Sequence, residues 1–166
     1  MDGWHIGALT TLSALAADVA LQDVPGMACL LDAAGQSASP QLRHMATLGG
    51  NLLQRPRCWY FRNRKVPCWR KGGDRCFAIV GENQYHTILG RSPCVAVHPS
   101  DPAVALLALD ASVQIVGPRD RRTVSLADFY QLPKREQQMA DGYRPVTALG
   151  VDELITEVVV PTPPAG

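Results

Sequence analysis

The chain has 166 residues, a formal net charge of +1, 46% hydrophobic residues and 19% charged residues. This length predicts one domain with a buried core, and this composition argues against a disordered chain. No stretch approaches the roughly 18 consecutive apolar residues that a membrane span needs. The first residues show neither the basic start nor the apolar core of an export signal, so we expect none on this chain.

The first third of the chain predicts a strand followed by helices. Residues 4–8 have the pattern of a short strand, and apolar residues then recur at helical spacing over 12–19. Proline at position 25 and glycine at position 35 bracket a second helix. That helix would place Cys29 in the core, as is usual for a lone cysteine on an apolar helix.

The second half predicts more strands and one buried helix. Residues 95–97 form a short apolar run, and a Ser-Asp-Pro sequence then starts an apolar helix over 103–109. Residues 112–116 and 122–124 alternate as a hairpin, and 154–160 read as a closing strand. The sequence therefore predicts an α/β (α+β) fold, with helices packed on a mixed or mostly antiparallel sheet.

A glycine turn precedes the most unusual part of the chain. Thr47 and Asn51 flank Leu48, Gly49 and Gly50. Adjacent glycines can reach positive φ and bring backbone N–H groups together in a nest that binds an anion such as a pyrophosphate. A plain turn before a buried strand is the simpler interpretation of the same residues.

Four cysteines follow in a long basic loop, with spacing C-x9-C-x7-C-x17-C. Residues 55–75 carry six arginines and two lysines against one acid, a local charge of +7. The spacing has no C-x-x-C pair and matches no zinc ribbon or ferredoxin run. A shared metal would restrain so long a loop, and the nearby cations are expected to lower the thiol pKa values, which favours an iron–sulfur cluster over zinc. The candidate metal ligands are Cys58, Cys68, Cys76 and Cys94.

Other interpretations of this loop stay open. Cations interleaved with Trp59, Tyr60, Phe61 and Trp69 are also typical of single-strand nucleic-acid binding. Alternatively, the cations form a solvated or subunit-facing surface and the aromatic side chains pack the loop. No nucleophile or acid–base pair stands out among the histidines, so we expect no catalytic side chain, and any chemistry would belong to a cofactor.

Residues 39–62, 82–86 and 98–110, with 6–10 and 153–161, resemble the FAD-binding (medium) subunit of molybdenum hydroxylases. The closest branch is the xanthine dehydrogenase and aldehyde oxidoreductase type, whose FAD subunit carries a cysteine-rich insertion. The resemblance implies the larger FAD-binding subdomain of the PCMH-type FAD fold. It implies that the four cysteines bind a [4Fe-4S] cluster, and that FAD contacts Thr47, Leu48, Gly49, Gly50, Asn51, Ser100, Asp101, Leu154 and Ile155.

The resemblance also implies a function. Such a subunit passes electrons from iron–sulfur clusters to FAD and an external acceptor. It works with a molybdopterin-binding large subunit and a [2Fe-2S] small subunit. The alternative is a non-enzymatic zinc- or nucleic-acid-binding module built on the basic cysteine loop. We expect no membrane association and a cytoplasmic location, or a periplasmic one through a signal on a partner subunit.

The family pattern also predicts the organisation of the chain. Residues 1–132 would form the FAD-binding subdomain, with 54–94 as the cysteine-rich insertion. Residues 133–166 would supply a loop, the closing strand and a linker toward a C-terminal domain. Family members begin with a smaller subdomain that bears another FAD loop. The chain therefore looks like a fragment, and we expect it to be inactive alone and to bind FAD poorly.

Overall fold

The computed structural model of the chain describes residues 3–89, 92–131 and 142–162. Four strands form one sheet in which every pairing is antiparallel. The strands are β1 (Trp4–Gly7), β2 (Ser112–Val116), β3 (Arg121–Ser125) and β4 (Leu154–Val160). Their order across the sheet is β1-β4-β2-β3. The predicted fold of helices with an antiparallel sheet is confirmed.

Eight short helices accompany the sheet within the described residues. Five of them follow a Ser or Thr whose hydroxyl oxygen accepts a hydrogen bond from the N–H three residues later, which satisfies one of the otherwise unpaired N–H groups of the first turn. The helices are α1 (Leu12–Ala16), α2 (Val19–Gln22), α3 (Ala28–Gln36), α4 (Pro40–Met45), α5 (Leu48–Leu52), α6 (Trp59–Arg62), α7 (Asp101–Ala108) and α8 (Leu126–Phe129).

Three local predictions were wrong. The single helix predicted over 12–19 is broken, because the Asp18 side chain accepts from the Ala20 N–H and starts α2 instead. Residues 95–97 are not a strand. Cys29 is exposed rather than buried, and its thiol donates to the Gly26 carbonyl at 3.1 Å. Residues 133–141 of the loop predicted to begin at 133, and the tail after 162, lie outside the described residues.

The chain divides into two compact units. The first comprises the chain up to Leu53, Ser100–Phe129 and the chain from Leu149; the second comprises Gln54–Pro99 and Tyr130–Ala148. No helix in the described ranges is long and apolar enough to cross a bilayer. The core of the first unit joins helices to the sheet through side chains that are at most 1% exposed, among them Leu12, Leu15, Leu30, Leu48, Leu52, Leu106, Val113, Ile115, Phe129 and Val158.

Candidate functional site

The glycine segment forms a helix rather than a turn of positive φ. Gly49 and Gly50 both lie in α5, and Thr47 is its N-cap. The N–H groups of Leu48, Gly49 and Gly50 donate to Thr10 O, Ala8 O and Thr47 Oγ1 respectively. The predicted nest of amides is therefore wrong: these three N–H groups stabilise the first unit instead of pointing at a ligand.

The two glycines serve different purposes. A Cβ on Gly49 would lie 2.9 Å from the Ala8 Cβ and 3.1 Å from the Ala8 carbonyl oxygen, so glycine allows α5 to pack closely on the chain leaving β1. Gly50 is exposed, and a Cβ there would approach only Thr47 Oγ1, at 3.0 Å. The outer face of α5 therefore presents bare backbone at Gly50, where a ligand can come close.

Two sequence-distant parts of the predicted FAD site meet at one hydrogen bond. The buried hydroxyl of Ser100 donates to Asn51 Oδ1 at 2.6 Å. The same oxygen accepts from the Ala103 N–H and caps α7. Asp101 lies next to it on the surface, where its carboxylate accepts a hydrogen bond from Ser37 at 3.3 Å. This hydrogen bond thus joins the end of helix α5 to the start of helix α7.

The third predicted segment lies at the start of β4. Leu154 and Ile155 pair with Val116 and Ile115 of β2, just before a register shift in the two strands. Leu154 is 72% exposed, so its side chain is accessible to a ligand, whereas Ile155 is half-buried.

Ala8 connects this strand to α5. Its N–H donates to Thr156 O at 2.8 Å in β4, and its carbonyl accepts from the Gly49 N–H at 2.9 Å. The first unit therefore joins all three predicted FAD-contacting segments through hydrogen bonds. Sequence reasoning placed Ala8 in the first strand and missed this role, which depends on long-range contacts.

An ion pair holds the turn that precedes β4. The Arg122 guanidinium donates to both carboxylate oxygens of Glu153, at 2.9 and 2.7 Å, and the Gly150 N–H donates at 2.7 Å. These hydrogen bonds lower the pKa of Glu153 to about 2, with the Arg122 hydrogen bond as the largest cause. The pair fixes the residue directly before Leu154.

The four cysteines of the insertion lie around one cavity in the second unit. Cys58, Cys68, Cys76 and Cys94 all line it, and its volume is about 10 Å³, roughly the room of one water molecule. Within the described residues, no three His, Cys, Asp or Glu side chains are close enough to hold one metal ion. The donor set, four cysteine thiols lining one cavity, fits a four-iron cluster chemically.

Three of these cysteines share a local conformation. Each is the non-helical residue immediately before a helical turn of three or four residues: Cys58 before α6, Cys68 before Trp69–Lys71 and Cys76 before Phe77–Ile79. Each is also followed by an aromatic residue. This repeated cysteine–aromatic pair was present in the sequence and was not used.

The predicted lowering of thiol pKa by the basic loop is wrong for Cys58. Burial raises the pKa of this thiol, the backbone amides of Phe61 and Tyr60 act in the opposite direction, and the neighbouring Cys68 and Cys94 raise it further. Most of the loop cations are exposed, so their charge is screened by water and is too weak to outweigh burial.

Arg70 differs from the other seven cations of residues 55–75, because it alone is buried, at 6% exposure. Its Nε–H donates to Cys94 Sγ at 3.4 Å, and its Nη1 donates to the Pro145 carbonyl at 3.4 Å. Its own backbone carbonyl accepts from the Arg144 N–H at 2.9 Å. Sequence reasoning counted Arg70 in the basic loop without separating it from the surface cations.

The aromatic side chains of the loop pack mainly on one another. Tyr60 stacks on Phe77 with ring centroids 6.1 Å apart. Trp69 is 2% exposed and lies under the Arg144 guanidinium, 4.2 Å from its ring centroid. Arg144 Nη1 also donates to the carbonyls of Trp69 and Gly73. Residues near 144 therefore hold the loop around Cys68 in place.

Comparison with known proteins identifies the family to which this chain belongs. The family described as the FAD binding domain in molybdopterin dehydrogenase matches residues 1–163. The chain is 41% identical, over 99% of its length, to the aldehyde oxidoreductase FAD-binding subunit PaoB of Escherichia coli K12, of which it covers 50%. It is 26% identical, over 97% of its length, to the nicotinate dehydrogenase FAD-subunit of Eubacterium barkeri, of which it covers 37%.

A solved structure shares the fold. Reconstituted CO dehydrogenase from Oligotropha carboxidovorans matches with a TM-score of 0.58 and 24% identity, over 99% of this chain and 38% of that chain. The chain thus spans half or less of the length of these proteins. The match over residues 1–163 shows that the chain belongs to the family of FAD-binding domains in molybdopterin dehydrogenases.

Proposed function

We propose that the chain is the FAD-binding, electron-transfer part of a molybdenum-containing xanthine- or aldehyde-type oxidoreductase. The observation that carries the proposal is the Ser100–Asn51 hydrogen bond, because it joins two segments that the family resemblance assigns to FAD. FAD, when bound, accepts electrons that arrive through iron–sulfur clusters and passes them to an external acceptor. The protein's part is to bind and orient the flavin.

The FAD contacts we propose lie on the first unit. Thr47, Leu48, Gly49, Gly50 and Asn51 would hold the pyrophosphate region, through the Thr47 hydroxyl and the open backbone at Gly50 rather than through a nest of amides. A hydroxyl that accepts a cap hydrogen bond still has a proton to donate. In the same proposal, FAD also contacts further side chains on α7 and β4, namely Ser100, Asp101, Leu154 and Ile155.

We further propose that Cys58, Cys68, Cys76 and Cys94 bind a [4Fe-4S] cluster. Their common cavity supports a shared site. One zinc ion with Zn–S bonds of about 2.3 Å would need its sulfurs about 3.8 Å apart, whereas a four-iron cluster binds each thiolate at a different iron and keeps them farther apart.

The partners follow from the same family. A molybdopterin-binding large subunit would oxidise the substrate, and a small [2Fe-2S] subunit would relay electrons. The name of the E. coli relative, a FAD-binding subunit of an aldehyde oxidoreductase, supports this arrangement. The exposed cations of residues 55–75 are suited to docking an acidic partner surface.

Metal analysis tests the cluster. The full chain, purified anaerobically, should contain about four iron and about four sulfide. One zinc per chain without iron, together with salt-sensitive binding of RNA or DNA, would support the alternative of a zinc- or nucleic-acid-binding module instead.

Flavin affinity tests the FAD contacts. In the complete protein that carries this chain, Asn51→Asp should weaken FAD binding at least tenfold, because it places a carboxylate beside the pyrophosphate. Asn83→Asp adds the same charge at an exposed position in the second unit and is the matched control. Equal affinities of both variants and the wild type would contradict the proposed contact.

A further inference from the structure

The second unit contains a buried cation that pairs with no acid among the described residues. Arg70 is 6% exposed, and its side chain donates hydrogen bonds to a thiol and a backbone carbonyl. The described acids of this unit, Asp74 and Glu82, are both exposed, and neither pairs with it. A guanidinium removed from water is costly unless an anion or several acceptors compensate it.

The group within reach is the sulfur of Cys94. The Nε–H of Arg70 points at Cys94 Sγ from 3.4 Å, and both residues line a cavity of about 200 Å³ with His98 and Tyr130. A neutral thiol compensates a buried charge poorly, because it is only a weak acceptor. Thiolates that bind metal are negatively charged, so they would provide the anionic partner for this guanidinium.

We propose that Arg70 is a positioning residue that raises the reduction potential of the iron–sulfur group held by Cys94. This inference rests on the cluster of the proposed function. Four thiolates around a [4Fe-4S] core give a net negative group, and adding one electron makes it more negative. A buried positive charge with an N–H aimed at one sulfur stabilises the reduced form more than the oxidised form, so the potential rises.

Burial is what distinguishes Arg70 from the other cations of the loop. A charge in the low-dielectric interior acts strongly at short range, whereas water and salt screen the exposed arginines. Two further hydrogen bonds hold Arg70 in position. Its carbonyl accepts from the Arg144 N–H at 2.9 Å, and its Nη1 donates to Pro145 O at 3.4 Å.

The test compares three variants of the full chain after anaerobic purification. Each is titrated with dithionite and ferricyanide, and the reduced cluster is followed by electron paramagnetic resonance. Arg70→Gln removes the charge. Arg70→Lys keeps the charge but loses the fixed Nε–H. Arg64→Gln removes an exposed charge from the same loop and is the matched control.

We expect the potential to fall in the order Arg70, Arg70→Lys, Arg70→Gln, while Arg64→Gln keeps the wild-type value. At a fixed potential, Arg70→Gln should show at least a tenfold lower reduced-to-oxidised ratio, which is about 59 mV for a one-electron couple. If Arg70→Gln does not retain iron, the Arg70→Lys potential decides: a lower value supports the proposal and an unchanged value overturns it.

Two results would overturn the inference while leaving the cluster in place. One is an unchanged potential in both Arg70 variants; the other is an equal shift in Arg64→Gln, which would mean that the net charge of the loop sets the potential. Wild-type chain without iron is a different failure, because it contradicts the cluster itself.

Discussion

Ser100 Oγ donates a hydrogen bond to Asn51 Oδ1 at 2.6 Å, joining two side chains 49 residues apart. Ser100 also caps α7 and is 2% exposed. Ser100→Ala should therefore lower the free energy of unfolding by about 1–2 kcal/mol, since a cap and a buried hydrogen bond are lost together. Ser39→Ala removes an exposed cap with a 3.4 Å bond and should cost less. Urea denaturation measures both; equal losses would contradict the special role of Ser100.

Gly49 is required by the close approach of α5 to Ala8. Gly49→Ala should destabilise the protein by about 1–3 kcal/mol, because the new methyl group would lie 2.9 Å from the Ala8 Cβ. Gly35→Ala is the control: this glycine is also helical, and its Cβ would make an ordinary 3.6 Å contact with Ala16. That change should be neutral or stabilise by up to about 1 kcal/mol. Thermal unfolding of both variants gives the comparison.

The Glu153–Arg122 pair predicts an acid-sensitive component of stability. The pKa of Glu153 lies near 2 in the folded chain, below its ordinary value of 4.5, so its stabilisation is present above pH 4.5 and is lost as the pH falls toward 2. Because the Arg122 side chain is 37% exposed, we expect less than about 1 kcal/mol. Glu153→Gln should be less stable than wild type at pH 7 and nearly equal at pH 2.5. A difference independent of pH would contradict this assignment.

Arg144 stabilises the segment around Cys68. Arg144→Lys should lose the paired hydrogen bonds to the carbonyls of Trp69 and Gly73 and weaken the contact with the Trp69 ring, costing about 1–3 kcal/mol. Hydrogen exchange should then be faster for the amides of Trp69 and Gly73, which donate within this segment. Arg121→Lys, on the exposed edge strand β3, should leave those amides unchanged. Unchanged exchange in Arg144→Lys would show that other contacts hold the loop.

The regular elements of the first unit were predictable because their sequence patterns are local. Strand β4 has the predicted bounds, and the Ser-Asp-Pro start identified α7. Helix α5 was not predicted, since glycine disfavours helices and this one depends on the Thr47 cap and on long-range contacts such as its packing on Ala8. The short apolar run at 95–97 forms no strand, and such runs are ambiguous without a partner.

The candidate site could be proposed from the sequence as a set of residues but not as an arrangement. The family motif identified Asn51 and Ser100, yet only tertiary contacts reveal their hydrogen bond. In the cysteine loop the sequence supplied four thiols and eight cations. Which cation is buried depends on how residues near 144 fold back onto the loop, and that is a long-range contact with no local signal.

The central claim is that four cysteines of the insertion bind one iron–sulfur cluster. The most direct test is to measure the iron and sulfide content of matched cysteine variants. Wild type and Cys29→Ser, whose thiol is exposed outside the cavity, should each contain about four iron per chain after anaerobic purification. Cys68→Ser should lose most of this iron, because Cys68 is a buried member of the set. Iron content in Cys68→Ser equal to that of Cys29→Ser would contradict the four-ligand assignment.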